Sequence, residues 1–148
     1  MAYTKTVWEN NSTPVLNATN LNKIEQGIEN NSFESGINSN GNYIKFNDGT
    51  MICYNTQTFS NITVDYVWGE LYTNANDRRA FSDFPVSFVN TPDVIKSLNF
   101  SSGDGFLMTN SSQGETSSTN PGGWQFARGT AATGINLSVS YVAIGRWK

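Results

Sequence analysis

Gly41-Asn42-Tyr43-Ile44-Lys45-Phe46-Asn47-Asp48-Gly49-Thr50-Met51-Ile52-Cys53-Tyr54 reads as a β-hairpin. Two short apolar-rich runs, residues 43–46 and 51–54, flank Asn47-Asp48-Gly49-Thr50. A tight hairpin turn needs positive φ, and Gly after Asp supplies it without a Cβ clash. The hairpin also divides the chain. Before it lies one helical pattern, and after it come only strands and loops. The spacing therefore predicts a mainly β chain: an antiparallel β-sandwich head over residues 41–148, preceded by one short helix within residues 1–40.

Composition agrees with that division. A chain of 148 residues makes one domain, or one domain with an appendage. Aromatic residues are 13% of it and carry the apolar content more than Leu does, a bias that favours strands. Charged residues are only 14%, and Asn, Ser, Thr and Gly fill the surface instead. The net charge is −3 with no run of Lys or Arg, so a phosphate-backbone footprint is lacking and nucleic acid is not an expected partner. Met1-Ala2-Tyr3-Thr4-Lys5 begins no apolar run and no later stretch has the length of a membrane span, so the expectation is a soluble product made in the cytoplasm, without membrane insertion. The one cysteine, Cys53, falls within a strand and reads as a small buried hydrophobe.

Residues 1–15 read as an extended lead-in ending in a turn at Asn10-Asn11-Ser12-Thr13-Pro14. Residues 16–30 form the one convincing helix. Asn17 can cap it, with Leu16 and Leu21 placed to staple its first turn. Leu21, Ile24 and Ile28 follow i, i+3, i+7 spacing, a narrow apolar seam with polar residues on the other faces. A helix this short is marginal alone, so the seam must be covered, either by its own head or by copies of itself around a threefold axis. The coiled-coil alternative makes the helix a trimeric stalk with Leu21, Ile24 and Ile28 at its centre. Residues 30–40 then read as a polar connector.

Beyond the hairpin, period-2 alternation recurs. Ile62, Val64, Tyr66 and Trp68 share one face, and Phe84, Val86 and Phe88 another, with Pro85 suggesting an edge or a strand start. Residues 94–100 and 106–108 are further short strands. A Ser/Gly/Thr/Asn-rich loop over residues 110–123 is long for a compact domain and reads as mobile or ligand-binding. Residues 124–128 form a strand, and Ile135, Leu137, Val139 and Tyr141 set the face of the last. Six to eight antiparallel strands with frequent turns make a sandwich.

Catalytic machinery is not evident. The chain has no histidine, which removes Ser-His and Cys-His pairs and the usual zinc sets. No Gly-rich phosphate loop precedes a helix, and Gly103-Asp104-Gly105 is more simply a turn. Asp65 with Glu70, or Asp104 with Glu115, are the carboxylate pairs that folding could join. Oxygen-ligand calcium sites are conceivable, but no EF-hand spacing appears, and the residues assign no metal and no other cofactor. Binding remains. Trp124, beside Gly122-Gly123 at the end of the longest loop, offers an aromatic face for a sugar ring, and Arg128 offers paired donors. The alternative for Trp124 is a core position, since it shares a strand face with Phe126. Asp77-Arg78-Arg79, the densest charge cluster, reads equally as a solvated turn or a subunit salt bridge.

Two segments resemble a known family. Trp8, then Thr13-Pro14-Val15-Leu16-Asn17-Ala18-Thr19-Asn20-Leu21-Asn22-Lys23-Ile24-Glu25-Gln26-Gly27-Ile28, is similar to the opening of bacteriophage tail-fibre, baseplate and receptor-binding proteins. Residues 42–54, then Phe84-Pro85-Val86-Ser87-Phe88-Val89-Asn90-Thr91-Pro92 and the ending Tyr141-Val142-Ala143-Ile144-Gly145-Arg146-Trp147-Lys148, resemble the C-terminal head domain of phage tail fibres. The β-part is also similar to H-type lectins, trimeric sandwiches that bind N-acetylgalactosamine-like sugars. Characterised members hold the sugar with a histidine beside an aromatic residue, which this chain lacks.

The resemblance implies a virion protein, assembled in the host cytoplasm. Its N-terminal segment would dock on other virion structural proteins, and its trimeric heads would bind a host surface polysaccharide or teichoic acid. A purely structural fibre or decoration protein of the phage head, neck or baseplate is the alternative. A capsule-degrading enzyme ranks last.

Overall fold

The computed structural model describes residues 17–108 and 114–148. The leading hairpin is borne out. β2 (Gly41–Phe46) and β3 (Thr50–Val64) pair antiparallel, and Gly49 takes φ +90° in the turn between them. The Gly49 N–H donates to the Phe46 carbonyl at 3.0 Å, and the Asp48 carboxylate accepts from the Thr50 N–H at 2.7 Å. A Cβ at residue 49 would collide with the Arg146 guanidinium, so the position excludes side chains on two counts.

Among the described residues, nine strands form two antiparallel sheets, the mainly β sandwich expected. The larger runs β1 (Phe33–Asn38), β2, β3, β9 (Ala132–Arg146), β6 (Asp93–Ser102). The smaller runs β4 (Tyr66–Trp68), β5 (Leu71–Thr73), β8 (Gln125–Arg128), β7 (Phe106–Met108). β3 and β9, each 15 residues long, pair along most of their length and form the spine. Their inward faces, Met51, Cys53, Ile62 and Val64 against Leu137, Val139, Tyr141 and Ala143, are buried, and Trp124 and Phe126 close over them from the smaller sheet.

The helix α1 (Ala18–Asn30) starts as expected: the Asn17 side chain accepts from the Asn20 N–H at 3.0 Å. The Leu16 half of the staple, like the lead-in over residues 1–15, lies outside the described residues. Asn47 in the hairpin turn donates to the Glu29 carbonyl and, at 2.8 Å, to the Ser32 hydroxyl. The helix C-terminus is thereby tied to the head.

Three expectations need correction. Residues 33–38 belong to no polar connector; they are β1, paired with β2 from Phe33↔Phe46 to Asn38↔Gly41, so the head begins before residue 41. The run Ile62–Trp68 does not keep one face: a bulge precedes Ile62, and after Val64 the chain leaves for the smaller sheet, where Tyr66 and Trp68 are exposed. Residues 84–88 are not a strand. Phe84 and Phe88 are buried as anchors of an irregular segment, whose Phe84 and Phe88 N–H groups donate to the Thr119 and Ser118 carbonyls, both at 2.8 Å. Alternation of buried rings arises there from an extended chain lying on the core, without a ladder.

Candidate functional site

The helix seam lies open. None of the helix residues is buried; Ile28 is 61% exposed and Leu21 46%, with Ile24 half-buried. Its own head therefore leaves the seam uncovered. An open groove of about 640 Å³, lined by Ile24, Gly27, Ile28, Asn31, Ser32 and Phe33, runs from the seam onto β1.

Trp124 and Arg128 are parted by the fold. Trp124 is 0% exposed, its ring tilted against Phe59 at 4.9 Å and stacked on Phe126 at 6.3 Å. An indole held on both sides offers no face to a sugar, so the expected platform is corrected to a core residue. Its ring N–H finds no partner among the described residues. Arg128 sits four residues on, opposite Tyr72, and its Nη2 meets the Asp104 carboxylate at 2.7 Å. Asp104, one of the candidate acids, is thus engaged by an arginine. Asp65 accepts from the Asn76 side-chain amide at 2.9 Å.

The loop ahead of Trp124 is also placed differently. Residues 109–113 lie outside the described residues. The chain packs down towards its end: Pro121, Gly122 and Gly123 are buried, and the Gly123 carbonyl accepts from Lys96 Nζ at 2.7 Å. Burial pulls the Lys96 pKa down, which marks an ammonium held partly out of water by this bond. Phe88, bonded to Ser118, packs over Gly145, and Val89 donates to the Arg146 carbonyl at 2.8 Å. Arg146 pairs with Thr50, next to the turn that holds the helix. The described part of this loop therefore braces the helix-proximal half of the head.

A second set of exposed aromatic residues lies at the other end. β3 carries the chain roughly 40 Å away from the helix-bearing turn before β4 begins. There Tyr66-Val67-Trp68 and Leu71-Tyr72-Thr73 form a hairpin around Gly69-Glu70, with Trp68 opposite Leu71. β5 then runs back past Arg128 and Ala127, so the hairpin tip points away from the helix. Gly69 takes φ +62° with open space around it. Trp68 is 52% exposed and shares a strand face with Tyr66, which is also exposed. Asn76, bonded to Asp65 beside Tyr66, brings planar amide and carboxylate groups to the base of this hairpin. Arg78 follows on the same loop, exposed, its Nε–H donating to the Ala75 carbonyl at 3.3 Å. This surface was missed in sequence because Tyr66 and Trp68 extend the alternation of Ile62 and Val64. The overlooked signal was Gly69-Glu70 between two aromatic runs.

Among the described residues, no group of three His, Cys, Asp or Glu is placed to hold a metal ion, and no helix is long and apolar enough to cross a membrane. Cys53 is buried, with its thiol 3.8 Å from the Val86 carbonyl, and burial pushes its pKa up to about 11. The thiolate is the nucleophile. Native protein at pH 8 is therefore expected to resist a thiol reagent that modifies Cys53 at once in urea. Equal rates in both states would show that residue 53 is not in the core.

No family model and no curated protein matches the chain. Among solved structures it is similar to a C-terminal portion of the R1 pyocin fibre of P. aeruginosa, with 14% identity, TM-score 0.48 and 96% of this chain covered. The chain spans 35% of that portion's length. It is also similar to an N-truncated R1-type pyocin tail fibre, with 13% identity, TM-score 0.46, and 89% of this chain and 98% of that one covered.

Proposed function

We propose that the chain is a trimeric, tail-fibre-like virion protein whose head attaches a phage particle to a host cell-surface glycan. The observation that carries this reading is the polarity of the molecule: an uncovered apolar seam at one end and an exposed aromatic hairpin at the other. The seam suits assembly with two further copies, because three side chains on a 13-residue helix cannot hold it folded alone. The order of the sequence motifs, from the helix through the hairpin to the closing strand, supports a fibre head. Residues 1–16 would join it to other virion proteins.

Receptor contact then belongs at the end away from the helix, on Tyr66 and Trp68. Their rings suit the apolar face of a sugar, and Asn76, Asp65 and Arg78 supply groups for hydroxyls or a phosphate. A teichoic acid or capsular polysaccharide presents both. Binding at each hairpin is weak, and three hairpins on one axis supply avidity without new contacts. Catalysis forms no part of this role.

Trp68→Ala and Tyr66→Ala are exposed changes away from the core, each expected to alter stability by no more than about 0.5 kcal/mol. Host-cell adsorption by the double variant should nevertheless be lost. Undiminished adsorption by a stably folded double variant removes the hairpin from the receptor site. If the wild-type head binds neither host cells nor any polysaccharide on a glycan array, the structural-fibre reading stands in place of attachment.

A further inference from the structure

The outward face of the five-stranded sheet is apolar over the half nearest the helix. The register sets Ile44, Ile52 and Ile144 side by side on β2, β3 and β9. In the next row Ile37, Asn42, Tyr54, Val142 and Ile95 lie across all five strands, so that Asn42, with Ser35 beside Ile44 in the first row, interrupts an otherwise apolar face. Phe33 opposite Phe46 continues the face towards the helix. These residues alternate with the buried Met51, Cys53 and Ala143, so they point away from the core. Ile37 and Ile95, on the two edge strands, are 75% and 70% exposed. Beyond Tyr54 the same face changes to Thr56, Thr58, Ser138, Ser140 and Ser97. The apolar zone is bounded, and its charged neighbours on this face, Asp93 and Arg146, stand at its rim.

Apolar side chains gathered on one sheet face and rimmed by polar ones mark a contact surface. Its chemistry narrows the occupant. Aliphatic side chains without planar donors do not read sugar hydroxyls. An anionic membrane is disfavoured by a net charge of −3 and by the lack of a basic cluster around the patch. A second copy of this chain fits, because the face is continuous with the seam. Phe33 belongs to the sheet face and also lines the groove with Ile24 and Ile28, and Asn47 holds the two surfaces together. Size points the same way. A stable interface takes roughly 800 Å² from each partner, which three side chains on one short helix fall far short of. The sheet face adds an outline of roughly 19 Å by 13 Å, from five strands and four residue steps.

We infer that this face turns inward on the threefold axis, so that the β1 edge of one head meets the β6 edge of the next, Ile37 against Ile95. The inference rests on the trimeric reading above. Contacts in a closed threefold ring are heterologous, one edge meeting the other, and the two most exposed isoleucines of the face stand at opposite edges of one cross-strand row. The heads would then pack on one another through the larger sheet, leaving the Tyr66–Trp68 hairpins free.

The test combines light scattering with crosslinking of the full chain. Ile37→Cys/Ile95→Cys should yield covalent trimers with a short bismaleimide, and each single variant should not. Ile144→Glu should reduce the scattering mass to one third of wild type with β circular dichroism retained. Ser138→Glu, on the hydroxyl half of the face, should stay at the wild-type mass. A wild-type trimer whose double-cysteine variant does not crosslink, and which survives Ile144→Glu, overturns the inference and leaves the trimer intact. The face would then serve another occupant. A monomeric wild type overturns the trimeric reading itself, and this inference with it.

Discussion

Trp124→Ala is expected to destabilise the head by about 3–5 kcal/mol, the range for emptying a fully buried aromatic site. In a chain of this length that lowers the melting temperature by roughly 6–20 °C. The reason is geometric. The indole fills the space between Phe59 and Phe126 where the two sheets meet, and neither ring can follow it into the void without leaving its strand. The segment behind it is no freer. A Cβ at Gly122, which takes φ +78°, would meet the Gly114 carbonyl oxygen at 2.8 Å, so the backbone there is already in close contact. Trp124→Phe is the informative partner. It keeps an aromatic ring and removes a buried N–H that has no acceptor among the described residues, so it should cost less than half as much as alanine. Thermal melts check both. A Trp124→Ala head that melts like wild type would place the indole outside the core and restore it as a ligand platform.

What was legible in the sequence was the local and periodic part. Asp48-Gly49 announced its turn because the φ requirement is local, and Ile135, Leu137, Val139 and Tyr141 announced a buried strand face because one sheet covers all of it. Failures came where a third element decided the outcome. Phe33-Glu34-Ser35-Gly36-Ile37 alternates, but its apolar positions face outward, and without knowing that β2 lay beside it the stretch read as polar connector. Gly36 is the clue to the pairing: a Cβ there would strike the Tyr43 hydroxyl at 2.7 Å and its ring at 2.8 Å. Phe84, Val86 and Phe88 carried a strand's period into a segment whose Phe84 and Phe88 N–H groups go to residues 119 and 118, a partner 30 or more positions away. Trp124 was balanced between surface and core because its loop gave no sign of which end of the sandwich it braced. The helix was legible in full from Asn17 to Asn30, cap included, yet the sequence left open what covers it.

Ile24→Asp should break the oligomer while sparing the head. Ile24 lies at the middle of the seam, between Leu21 and Ile28, and contributes to the groove that leads onto Phe33. In a threefold bundle the substitution sets three carboxylates near one axis. Each loses hydration there, none gains a cationic partner, and like charges in so dry a setting cost several kcal/mol. That exceeds what three apolar side chains per helix supply and draws on the sheet-face contacts as well, so the trimer should not persist at micromolar concentration. The head has its own core, to which the helix contributes no buried residue. Its β circular dichroism should therefore remain, while the helix, uncovered and only 13 residues long, unravels. Light scattering should read the monomer mass, and host-cell adsorption should fall by the avidity factor, on the order of 10²–10⁴, though the hairpin of each head is unchanged. Collapse of the β signal along with the trimer would show that stalk and head fold as one unit. A monomer that still adsorbs at full strength would show that attachment needs no threefold array.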